Sequence, residues 1–210
     1  MLTEQKNIWR LYNEARRVEG EKVQGLERFI EWIDLAKESE VSPELLGDVM
    51  SIIERSGCPS IRFEKLRGAL GISLTTACIV NSSTLSDTIQ QLFYVIFHEI
   101  AHQYQYTKHG EEFAEAVYFG NGDPRVGARL LLKIENTADR YAYRIVKHLF
   151  KKHGLPFNER TFYLLYKHQS PESLSTYINS LRSAISQNNL TNVHEVNDLI
   201  YNMVKGKLKE

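Results

Sequence analysis

Between Leu92 and Ala101 the chain places Leu92, Phe93, Tyr94, Val95, Ile96, Phe97, Ile100 and Ala101 around nearly the whole circumference of a helix. A helix apolar on every side has to be buried. Yet the same segment holds His98 and Glu99, and His102 follows one residue beyond it. Ionisable groups at the centre of a buried helix are costly unless something compensates them. Histidines four apart lie about 40° apart on one face, so His98 and His102 can converge on a single ion. Glu99 is turned about 100° from His98 and reaches a water beside that ion rather than the ion itself. This is the mechanical content of H-E-x-x-H, a helical zinc pattern. The apolar surround weighs against two unrelated histidines and a surface glutamate. The spacing predicts Zn2+ at His98 and His102, with a third protein ligand still to find.

Two residues compete for that role. His109, in "HGEEF", lies seven residues beyond His102, about 10 Å further along if the helix continues. It would need a sharp turn to come back, and Gly110 follows it, where it reads as the residue that ends a helix. Glu135, in "IENTADRYA", sits in the middle of the apolar stripe formed by Ala128, Leu131, Leu132, Ala138, Ala142, Val146 and Leu149. Asp139 lies one turn on, along the same stripe. Two buried carboxylates one turn apart are unfavourable unless paired. A cation facing Glu135 and a histidine N–H for Asp139 explain both, and partners such as Arg140 or Arg144 are the ordinary alternative. Glu135 is the expected third ligand and His109 the alternative.

Most of the chain reads as helix. Residues 3–18 and 22–38 carry apolar positions at helical spacing, and Ser42 with Pro43 opens a helix to about Arg55. "SIRFEKL" and "GISLTTACIV" read as two strands of a hairpin or small sheet. "TLSD", Thr84 to Asp87, is a capping-box pattern before the H-E-x-x-H helix. Asp123 and Pro124 open the longest helix, which ends at Gly154 after basic residues and spans roughly 45 Å. Helices around 171–187 and 193–205 follow.

Lys+Arg and Asp+Glu both number 26, which argues against nucleic-acid or anionic-membrane binding through bulk charge. The longest apolar run, "LFYVIF", is too short to span a bilayer, and the first residues show no apolar signal segment. Cys58 and Cys78 lack ligand spacing and read as free thiols of a cytoplasmic protein, with one disulfide between them as the alternative.

With H-E-x-x-H on one helix and a glutamate on a later one, the sequence resembles the gluzincin metallopeptidases. "ENTADRYA" is similar to the E-x-x-A-D element of HtpX-like peptidases and to the E-x-x-A-N element of ImmA/IrrE-type cytoplasmic metallopeptidases. "ACIVNSSTLSDTIQQLFYVIFHEIAHQ" has the order of the latter, and the likeness covers about residues 61–150. "HGEEF" resembles the H-G-x-x-F element of SprT-like proteases, the alternative that His109 would serve.

The helical bulk beside the two strands predicts an α+β fold, predominantly helical, with a small sheet or hairpin packed on the H-E-x-x-H helix and the long glutamate-bearing helix. A metallopeptidase-like core over 57–154 is expected between helical segments 1–56 and 155–210, which the resemblance does not cover, all in one compact domain. The resemblance implies that His98, His102 and Glu135 would bind Zn2+, that Glu99 would be the general base, and that Asp139 would orient a histidine, His102 being favoured. The strand "TTACIVN" would offer an edge to an extended peptide, and Tyr104, Tyr106, Tyr141, His148 and His168 are chemically able to stabilise an oxyanion. The expected activity is hydrolysis of peptide bonds in a protein or peptide substrate. A non-catalytic metal-binding interaction module is the reading from a different class.

Overall fold

The computed structural model describes residues 41–58, 60–74, 77–109, 111–120, 123–161 and 170–206. The expected helices over 3–18 and 22–38 lie outside these residues, as does His168. The described chain is α+β with helices dominant, in the order α1 (Pro43–Arg55), β1 (Ile61–Glu64), β2 (Gly71–Leu74), β3 (Ala77–Asn81), a 3-10 turn (Ser82–Ser86), α2 (Ile89–His109), α3 (Glu112–Tyr118), α4 (Pro124–Lys152), α5 (Pro171–Gln187) and α6 (Val193–Val204).

Local signals account for several of these boundaries. Ser42 caps α1 by accepting from Leu45 N, and Asp123 caps α4 by accepting from Arg125 N, each followed by proline in the first turn. Gly154 takes a φ of +66° just past α4, the left-handed position a helix end requires. The cap of α2 falls four residues later than the sequence suggests. Thr88 and Gln91 bond reciprocally there, with Gln91 N donating to Thr88 Oγ1 and Thr88 N to Gln91 Oε1. Thr84 instead donates to the carbonyl of Asn81 inside the 3-10 turn. Both sites carry a plausible cap, and the turn uses the first of them.

The sheet also departs from a simple two-strand reading. "GISLTTACIV" divides into β2 and β3, which pair antiparallel, and β1 joins β3 in parallel, giving the order β1-β3-β2. β3 is therefore the central strand and not the free edge expected of it. All five of its residues are buried, which is why its sequence is nearly continuously apolar. Asn81 ends it by donating to the carbonyls of Leu66 and Ala69, fastening the β1–β2 connection.

α2 crosses one face of the sheet and lies along α4. Leu92, Phe93, Ile96, Phe97 and Ile100 are wholly buried among α1, the sheet and α4. Burying each such side chain is worth about 1.5–3 kcal/mol. Ala138 and Ala142 are also wholly buried on α4, and their small side chains let the two helices approach closely. The far face of the sheet, through Ala77 and Ile79, meets Tyr201 and Val204 of α6. α5 packs on α3 and α4 through Leu174 and Ile178. No helix among the described residues is long and apolar enough to cross a membrane.

Candidate metal centre

His98 and His102 leave α2 on one face, one turn apart, and Glu135 faces them from α4. His98 Nε2 lies 3.1 Å from His102 Nε2 and 3.2 Å from Glu135 Oε2, and His102 Nε2 lies 3.6 Å from Glu135 Oε1. Two ligands on a tetrahedral zinc with bonds of about 2.0–2.1 Å are about 3.3 Å apart. The three side chains thus already have the spacing of three corners of a zinc site. Among the described residues this is the group of histidine, cysteine and carboxylate side chains placed to hold an ion.

The opposite nitrogen of each ring is committed to an acceptor. His98 Nδ1 donates to Asp139 Oδ1 at 2.9 Å. His102 Nδ1 donates to Gln105 Oε1 at 2.8 Å. The Gln105 amide cannot be reversed without losing a bond, because its Nε2 donates to the carbonyl of Ile134 at 3.0 Å. Hydrogen bonds at Nδ1 put the lone pair of each neutral ring on Nε2, aimed at the other ring and at Glu135. Two facing lone pairs and a carboxylate call for a cation between them. The donor set and the hydrogen-bonded support both fit Zn2+.

The electrostatics express the same demand. Burial works against charge on His98, yet the hydrogen bonds to Asp139 and Glu135 outweigh it and push the ring's pKa up to about 10. His102 is raised too, its burial outweighed by Glu135. Burial favours a neutral Glu135, but His102 and His98 hold its carboxyl below the usual carboxylate range. Glu99 goes the other way. It is 6% exposed, and burial raises its carboxyl despite the two histidines.

Asp139 therefore supports His98 and not the expected His102. The cause is its position on α4, which also brings it to the hydroxyl of Tyr94, one turn before His98 on α2; Tyr94 donates to the same Oδ1. His102 lies a turn further along and takes its acceptor from Gln105, three residues ahead on its own helix. Neither Tyr94 nor Gln105 stands out in the sequence, although i−4 and i+3 spacing from the histidines is a signal that could have found them. Arg140 and Arg144 are exposed.

His109 ends α2, exposed, with its ring edge-on to Phe113 at 4.9 Å between centroids. The helix is continuous from His102 to His109, so no turn brings this ring back. Of the residues able to stabilise an oxyanion, Tyr104 and His148 are exposed, Tyr141 is half-buried, and the Tyr106 hydroxyl accepts from Asn197 at 3.3 Å. No protein-family model, curated protein or solved structure matches this chain.

Proposed function

We propose that this chain is a zinc-dependent peptidase that hydrolyses peptide bonds in a protein or peptide substrate. The observation that carries the reading is the convergence of His98 Nε2, His102 Nε2 and Glu135 within 4.8 Å of one another, with a buried carboxylate, Glu99, on the same helix. A purely structural site has no use for Glu99, whereas hydrolysis needs a base there. Zn2+ held by His98, His102 and Glu135 would polarise the scissile carbonyl and make water more acidic. Glu99 takes the proton of the attacking water and delivers it to the leaving amine. Its burial favours the protonated form that the second transfer needs. By accepting from Nδ1 of the two rings, Asp139 and Gln105 would leave both Nε2 atoms free to hold the ion.

β2, an outer strand of the sheet that packs on α2, replaces β3 as the edge able to accept an extended peptide. Cys58 and Cys78 are buried free thiols, Cys58 donating to Cys78 with 3.4 Å between the sulfurs, and a cytoplasmic setting belongs to the reading as the compartment that would keep them reduced. Neither a nucleic acid nor a membrane is needed as partner.

The test is incubation of zinc-loaded protein with a proteome-derived peptide library, reading new termini by mass spectrometry. Cleavage by wild type, reduced about 100-fold or more in Glu99→Gln with zinc retained, supports the reading. Zinc-loaded wild type that cleaves nothing favours the non-catalytic metal-binding module.

A further inference from the structure

We propose that Gly71 is a positioning residue for the Glu99 carboxylate, the absent side chain on β2 being the space in which that carboxylate is seated. The inference deepens the peptidase reading and takes its catalytic meaning from it. A Cβ placed on Gly71 would lie 2.5 Å from Glu99 Oε1, 2.7 Å from its Cγ and 2.8 Å from its carboxyl carbon. Real Cβ atoms essentially never come that close to other heavy atoms. Any side chain at position 71 therefore excludes Glu99 from where it stands.

The backbone does not demand this glycine. Among the described residues the positive-φ glycines are Gly57, Gly68, Gly154 and Gly206, and Gly71 is not one of them. An alanine is conformationally acceptable at 71, and what matters is the space. Nor can the clash be relieved at the tip of a mobile side chain. It extends from Cγ to the carboxylate oxygen of a residue that is almost wholly buried.

Neither backbone is free to retreat. Gly71 is paired with Val80 of β3, and Leu74 with Ala77. One helical turn beyond Glu99, Gln103 donates to Ser73 Oγ at 2.7 Å and to the Leu74 carbonyl, which pins β2 against α2. Four residues of helix rise about 6 Å and two residues of strand about 6.7 Å. Glu99 and Gln103 can therefore meet Gly71 and Ser73 in step, and the fixed second contact holds the first. A displacement of about 1 Å in a catalytic group can cost on the order of 100-fold in rate.

The test is a double-mutant cycle on the zinc-saturated protein, with Gly71→Ala made in the wild-type, Glu99→Gln and Glu99→Ala backgrounds. Zinc content should stay constant, since the atoms nearest an added Cβ all belong to Glu99 and not to one of the three ligands. Thermal midpoints should fall by roughly 3–8 °C on Gly71→Ala in the first two backgrounds. They should be unchanged or higher in the Glu99→Ala background, where the obstructing side chain is gone. A Gly71→Ala protein that fails to fold, and that Glu99→Ala restores, gives the same answer. On a peptide that wild type cleaves, Gly71→Ala should lower kcat about 100-fold, well beyond any change in KM that its place on β2 brings. Equal thermal losses in all backgrounds, or cleavage by Gly71→Ala at the wild-type rate, overturns the proposal. Zinc-loaded wild type that cleaves nothing removes the peptidase reading instead, and the thermal cycle still decides the contact.

Discussion

Asp139 Oδ1 accepts the Nδ1 proton of His98 at 2.9 Å, while Glu135, one turn earlier on α4, meets Nε2 of the same ring at 3.2 Å. One imidazole is thus held between two carboxylates of a single helix. Removing the first should loosen the ring that the second needs. Asp139→Ala is expected to weaken zinc binding about 10–100-fold, and Asp139→Asn less, since its amide oxygen can still accept. Competition against a chelating indicator measures both.

Gln105 performs the same service for His102 and also reaches the backbone beside Glu135. Gln105→Leu keeps the size of the side chain but removes the acceptor. It should weaken zinc binding by about tenfold or more and leave the helix intact. The same competition, with circular dichroism as control for helicity, checks this.

The closeness of α2 and α4 rests on small side chains. Ala142 is wholly buried in the main core. Ala142→Leu should cost about 1–3 kcal/mol in urea unfolding by overpacking. It should also lower zinc affinity, because separating the helices moves Glu135 away from the histidines. Loss of stability with unchanged affinity would mean that the site tolerates such a shift.

Glu64 ties the sheet to α6. Burial pushes its carboxyl up, but Lys205 at 2.6 Å and the Tyr201 hydroxyl at 2.9 Å outweigh burial and hold it below its ordinary value. A carboxyl lowered in the folded state stabilises above its unfolded value of about 4.3, and that contribution is lost as pH falls through the folded value. Glu64→Gln should be less stable than wild type at neutral pH, by about 0.5–1 kcal/mol. The difference should shrink as the pH is taken from neutral to well below the unfolded value of about 4.3. Urea unfolding at the two pH values tests the sign.

How much of this was legible in the sequence follows the range of each interaction. The caps of α1 and α4 and the apolar wrap around His98 are local or periodic, and they could be read directly. Glu135 was legible because a carboxylate in the middle of an apolar stripe is costly in any fold. Asp139 was legible as a histidine partner but not as the partner of His98, since that depends on the offset between two helices. β3 could not be recognised as a central strand, because a short apolar run reads alike in the middle of a sheet and at a buried edge. Gly71 gave no signal at all. Its importance comes from a contact across 28 residues of chain with Glu99, and nothing in its neighbours implies that contact.

The most direct test is the metal content of purified protein by elemental analysis, for wild type, Glu135→Ala and His109→Ala prepared in parallel. The predicted result is about one zinc per chain in wild type and in His109→Ala, and little or none in Glu135→Ala. Zinc retained in Glu135→Ala and lost in His109→Ala, or no zinc in any of the three after supply of the metal, would contradict the site described.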